Sequence, residues 1–221
     1  MLFRSLRSII GPNGAGKTTF LDVITGKVKP TKGSVSFQGQ PLRGLSEQKI
    51  SRLGIGRKFQ TPRVFDNLSV MRNLELAAVP TKNPLGMFKD KLPDAIRDNV
   101  QRLLNYVGLA PFARRQAGSL SHGQKQWLAI AMVVAQSPQL ILLDEPVAGL
   151  TDEETTRTAD LIKSLAGDHT VVVIEHDMEF IRDLNAPVTV LHQGSVLTEG
   201  LLETVKKDPK VIEVYLGQSQ D

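Results

Sequence analysis

Eight residues near the start of the chain, Gly11-Pro12-Asn13-Gly14-Ala15-Gly16-Lys17-Thr18, read G-x-x-x-x-G-K-[ST] without a mismatch. No other stretch constrains the fold as much, because the pattern carries its chemistry only where a strand ends and a helix begins. That context is present: the apolar run Ser8-Ile9-Ile10 precedes it and a helix-like segment from Lys17 to Thr25 follows. Glycines let successive backbone N–H groups curl around phosphate oxygens. The following helix aims its positive end at the same anion. Lys17 brings a point charge to β- and γ-phosphates, and Thr18 a hydroxyl to Mg²⁺. The candidate phosphate-binding residues are therefore Gly11, Pro12, Asn13, Gly14, Ala15, Gly16, Lys17, Thr18 and Thr19.

Further along, apolar runs rich in Val, Ile and Leu alternate with helical patterns, which predicts a mostly parallel sheet covered by helices. The expected strands are Leu6–Ile10, Ile55–Phe59, Leu140–Leu143, Thr170–Ile174 and Val188–Leu191, with Ser34–Phe37 and Ser195–Thr198 as hairpin or edge strands. Capping boxes at Ser121/Gln124 and Thr151/Glu154 start two helices, and Ser69 starts a third over Val70 to Ala78. Apolar residues at 96, 100, 103, 104 and 107 give another helix, stopped by Gly108. Pro80 to Pro93, with three prolines, a glycine and three lysines, reads as an exposed connector. These elements predict an α/β chain of one domain. Residues 1–59 and 121–221 form a P-loop NTPase core with antiparallel edge strands, and residues 60–120 form a helical subdomain.

Leu140-Ile141-Leu142-Leu143-Asp144-Glu145 is a buried strand ending in two carboxylates. Ligands of parallel sheets sit at the carboxyl ends of strands. Asp144 is thus placed to reach Mg²⁺, and Glu145 to take a proton from a water attacking the γ-phosphate.

Composition excludes other classes. With 221 residues and 41% hydrophobic content the chain can build one substantial core. It has no cysteine, hence no disulfide and no thiolate metal site. No 18-residue apolar run spans a membrane, and the opening Met1-Leu2-Phe3-Arg4-Ser5-Leu6-Arg7 lacks the apolar core of a signal peptide. The net charge of +4 suits an anionic ligand or an acidic membrane surface and is too small to indicate nucleic acid.

The remaining motifs resemble the ATP-binding subunits of ABC transporters. Leu120-Ser121-His122-Gly123-Gln124 is similar to that family's L-S-G-G-Q signature. Gln60 follows the strand at Ile55 like the Q-loop glutamine, Ala148-Gly149-Leu150-Thr151-Asp152 sits where the D-loop lies, and His176 follows Val171–Ile174 like the switch histidine. The resemblance implies that two ATP-binding subunits, expected to be different ones, sandwich Mg²⁺-ATP between the phosphate loop of one and the signature of the other. Ser121, Gly123 and Gln124 would meet the γ-phosphate in trans. Gln60 would join Thr18 and Asp144 at Mg²⁺, and Gln60 and His176 would work with Glu145 in hydrolysis. Closure would drive transmembrane permease subunits fed by a substrate-binding protein, with the cassette peripheral to the cytoplasmic face of the membrane. Within the family, Arg52-Leu53-Gly54-Ile55-Gly56-Arg57-Lys58-Phe59-Gln60 and Val211 to Gly217 resemble the branched-chain amino-acid and amide uptake group. The stretches Leu120 to Trp127 and Asp144 to Glu154 are most similar to urea importer subunits.

Two departures stand out. His122 stands at the signature's third position, where glycine is usual, so its side chain is expected to point away from the phosphates. Only ten residues precede Gly11, where the family has further strands and an aromatic platform for adenine; Phe3 is too close to the loop to serve. Missing strands and weakened ATP binding are the expectation from this, with a catalytically impaired binding or regulatory module as the alternative to an energising ATPase. A soluble ABC-type ATPase of repair or translation is disfavoured, because long coiled-coil insertions and a second cassette are lacking.

Overall fold

The computed structural model describes residues 5–79 and 92–216. Phe3, most of the expected connector after Pro80, and Gly217 lie outside the described residues.

A six-stranded sheet organises the fold, in the order β4-β5-β6-β1-β7-β8. Its strands are β1 (Leu6–Ile10), β4 (Ile55–Lys58), β5 (Leu140–Asp144), β6 (Thr170–Ile174), β7 (Val188–His192) and β8 (Ser195–Gly200). β1 sits in the middle, parallel to β6 with Ile9 beside Ile174 and to β7 with Ile9 beside Thr189. β4, β5 and β6 are parallel as well. Only β8 is antiparallel, as the second arm of a hairpin with β7. Two short strands, β2 (Ser36–Phe37) and β3 (Gln40–Pro41), pair separately.

Every residue of β5 is buried, as expected of an apolar run covered on both faces. Leu140 and Leu142 pack into one core with Ile9, Leu21 and Ile50. Ile141 and Leu143 face the other, with Val171, Leu128, Ile130 and Ile162. The alternation is the period-two geometry of a strand. Helices α1 (Lys17–Ile24) and α2 (Glu47–Arg52) cover the first face. The second is covered by α3 (Val70–Ala78), α4 (Asp94–Tyr106), α5 (His122–Val134), α6 (Asp152–Leu165) and α7 (Met178–Leu184). Two short helices, α8 (Leu202–Val205) and α9 (Pro209–Leu216), close the β7–β8 edge.

Local chemistry sets the helix ends. Both capping boxes form: Ser121 with Gln124 on α5, and Thr151 with Glu154 on α6. Ser69 Oγ accepts the Arg72 N–H at 3.1 Å and starts α3. After α4 the chain reverses at Gly108, in the left-handed conformation (φ 70°), and the Leu109 N–H donates to the Leu104 carbonyl. The small differences from expectation lie at strand ends. Phe59 leaves the ladder after Lys58, the strand expected from Ser34 is paired only at Ser36 and Phe37, and β8 runs on to Gly200 because Val188 pairs with it. Among the described residues, no helix is long and apolar enough to cross a membrane.

Candidate active site

The site lies at the carboxyl ends of β1, β4, β5 and β6. From β1 the chain enters the phosphate loop, whose Gly16 adopts a positive φ of 96° and caps α1. Gly11 is required for a different reason. A Cβ there would lie 2.3 Å from the Leu191 carbonyl oxygen, which belongs to backbone and has no rotamer to yield. Gly11→Ala is therefore expected to push the loop and the β7 end apart and to weaken nucleotide binding at least about tenfold. Titration of ATP against both proteins checks this, and equal affinities would contradict it.

Lys17 is buried, and its ammonium donates to the carbonyls of Gly11 (2.6 Å) and Pro12 (3.0 Å). Burial holds its pKa below the ordinary lysine value, while the charges of Glu145 and Asp144 pull the other way. Thr18 and Thr19 are exposed on the first turn of α1.

Asp144 ends β5 and is buried. Its Oδ2 accepts from Arg57 Nη2 at 2.9 Å, and Arg57 Nη1 meets Asp22 Oδ1 of α1 at 2.5 Å. Glu145 follows with a positive φ of 45°, a conformation costly for a side-chain-bearing residue. The turn aims its carboxylate back toward the loops: Gln60 Nε2 donates to Glu145 Oε2 at 2.5 Å, and His176 Nδ1 lies 3.6 Å from Oε1. Gln60, Glu145 and His176, distant in sequence, thus meet at one point. The oxygen-only set of Thr18 hydroxyl, Gln60 amide and Asp144 carboxylate is the kind of donor group that suits Mg²⁺.

Ser121 and Gln124 are engaged in their own capping box, and Gly123 is buried against Glu154. Among the described residues, no hydrogen bond joins these three to the phosphate loop. The exposed His122 points away from the helix axis to the Ala148 carbonyl, 3.0 Å from Nε2.

A matching family model, "ABC transporter", covers residues 4–148. The chain is 38% identical over 222 residues to the Escherichia coli K12 "High-affinity branched-chain amino acid transport ATP-binding protein LivG", covering 96% of this chain and 87% of the relative. It is equally similar to BraF of Pseudomonas aeruginosa, a protein of the same description, over 96% and 87% of the two chains. The chain belongs to the ABC transporter family. Solved cassettes of this family share its fold. MJ1267 in its ADP conformation superposes with a TM-score of 0.83 at 29% identity, over 97% of this chain and 89% of that one. The dimeric, post-hydrolysis MJ0796 cassette bound to ADP and Pi gives 0.75 at 29% identity, over 91% and 87%.

Sequence reasoning passed over three residues of this ABC cassette. Arg57 and Lys58 were read only as marks of a subgroup, yet one bridges two carboxylates and the other is buried at the site. Their adjacency at the end of a strand was the available signal, since neighbours on a strand face opposite sides. Glu175 is 1% exposed and accepts from the N–H groups of Val147 and His176, both at 3.1 Å. Burial pushes its pKa up, against those two hydrogen bonds and the nearby His176. Nothing in the sequence distinguished it from a surface carboxylate.

Proposed function

We propose that this chain binds and hydrolyses Mg²⁺-ATP as the energising subunit of an ABC importer. The observation that carries the reading is the meeting of Gln60, Glu145 and His176 beside the phosphate loop. In this reading Lys17 and the loop N–H groups bind the β- and γ-phosphates. Thr18, Gln60 and Asp144 hold Mg²⁺, which supplies charge neutralisation at the transferring phosphoryl group. Glu145 takes the proton of the attacking water, and Gln60 and His176 hold that carboxylate in line.

Ser121, Gly123 and Gln124 act on the nucleotide of a second ATP-binding subunit, expected to be a different polypeptide. The dimeric state of the MJ0796 cassette supports a shared site. Residues 60–120 serve as the helical subdomain, and residues 1–59 and 121–221 as the nucleotide-binding core. The complex also contains transmembrane permeases and a substrate-binding protein, with this chain peripheral to the cytoplasmic face. The LivG and BraF relatives support a branched-chain amino acid as cargo. The stretches around Gln60 and the signature support the finer reading of urea or a short amide within the same uptake group.

Equilibrium binding of Mg²⁺-ATP to the purified chain tests the first step. Lys17→Ala is expected to weaken it about ten- to a hundredfold, the worth of a charge-assisted hydrogen bond to phosphate. Binding that Lys17→Ala leaves intact would overturn the assignment. Reconstitution with the permeases, comparing ATPase stimulation by leucine and by urea, separates the two cargoes.

A further inference from the structure

Lys58 is 2% exposed, yet no step described above uses it. It ends β4 beside Leu143, two residues before Gln60 and one register step from Asp144. Neighbours on a strand alternate faces, so Arg57 turns to Asp22 and Asp144 while Lys58 turns the other way. Its Nζ lies 3.4 Å from the Gln60 carbonyl and 3.4 Å from the Glu145 carbonyl. Glu145 is the residue with the costly positive φ. Its N–H is held by the Ile174 carbonyl at 2.9 Å, so the ammonium of Lys58 holds the other side of the same strained residue.

We propose that Lys58 is a positioning residue for hydrolysis: by bridging the backbones of Gln60 and Glu145 it holds Glu145 in its left-handed turn and keeps the two side chains in register. An ammonium suits the task. It offers three donors and no acceptor, so it can bind two carbonyls at once. Its charge sits among Glu175, Asp144 and Glu145, which offset its burial. That burial still brings its pKa down to about 8. A buried lysine is costly to keep when an apolar side chain fills the same space. Its presence at the one point where two catalytic backbones meet is what a positioning role requires. The bonds it makes involve neither phosphate nor adenine contacts, so its loss should be felt in turnover rather than in binding.

The inference rests on the hydrolysis reading above, and the test separates the two. The complete complex, with permeases and second ATP-binding subunit, is compared as wild type, Lys58→Met and Lys58→Gln. Methionine keeps the length and removes the charge and donors; glutamine keeps a donor without charge. Lys58→Met is expected to lower kcat at least about tenfold with KM for ATP within about threefold, the signature of an interaction made in the transition state. Its thermal midpoint is expected to fall, because Glu175, Asp144 and Glu145 lose a cation that lies among them, so kcat and KM are read well below the variant's own unfolding transition. Lys58→Gln should fall between the two, and it carries the same test if the methionine protein does not fold. A kcat that survives both substitutions overturns the role of Lys58 alone, and so does a loss of ATP affinity that runs parallel to the loss of kcat, which would mark a structural residue. A wild-type complex without Lys17-dependent ATPase overturns the hydrolysis reading and this inference with it.

Discussion

Glu145→Gln is expected to reduce ATP turnover by about 10²–10⁴-fold while leaving ATP affinity nearly unchanged. The amide keeps the shape of the carboxylate and can still meet Gln60, but it cannot take a proton from water. The surroundings make this a sharp test. Gln60 donates to one carboxylate oxygen and His176 approaches the other, so the group is oriented by two neighbours rather than left to solvent. ATP that binds without being cleaved should hold two cassettes closed around it, as the shared-site reading requires. Steady-state ATPase rates and size-exclusion chromatography with and without Mg²⁺-ATP, on the chain together with the second ATP-binding subunit, measure both effects. Unchanged turnover would remove Glu145 from the catalytic role, and lost turnover without an ATP-dependent dimer would argue against the shared site.

Arg57→Met is expected to cost about 3–5 kcal/mol of stability, the usual consequence of removing one partner from a buried ionic cluster. The Arg57 side chain is 4% exposed, and the two carboxylates it joins, Asp22 and Asp144, are 13% and 9% exposed. Asp144 would lose its ion-pair partner, and Asp22 would keep only the more exposed Lys27 at 3.5 Å. For a domain of this size the loss corresponds to a fall in melting temperature of roughly 6–20 °C. There is a functional consequence as well. Asp144 is the proposed Mg²⁺ ligand, and Arg57 fixes its other oxygen, so Mg²⁺-dependent ATP binding should weaken even where the variant is folded. Thermal unfolding and Mg²⁺ titration at saturating ATP report the two effects. Asp22→Asn provides a control, because it removes the outer carboxylate and leaves the Arg57–Asp144 pair. A melting temperature within about 2 °C of wild type would show that the cluster is solvated rather than buried.

These two predictions differ in how far they were legible beforehand. Glu145 follows from its place after an apolar strand in a chain that carries a phosphate loop. Arg57 does not, because its partners lie 35 and 87 residues away and only folding brings them to it. His122 shows the same division. Its departure from glycine was visible, and so was the need for it to turn away from the phosphates. That it turns to the Ala148 carbonyl depended on how α5 and the loop before α6 pack.

What the amino-acid order determined by itself is local. The phosphate loop, the strand ending in Asp144, the two capping boxes and the apolar periodicity of α4 each depend on residues within a few positions of one another, where sterics and nearby hydrogen bonds decide. The tertiary structure decided the rest. It set β1 between β6 and β7, used Gly11 because the Leu191 carbonyl stands where a side chain would be, and joined Gln60, Glu145 and His176 across more than a hundred residues. It also buried Lys58 and Glu175 beside them. Contacts of that kind depend on burial and charge compensation summed over several strands, and no window of sequence contains the partners.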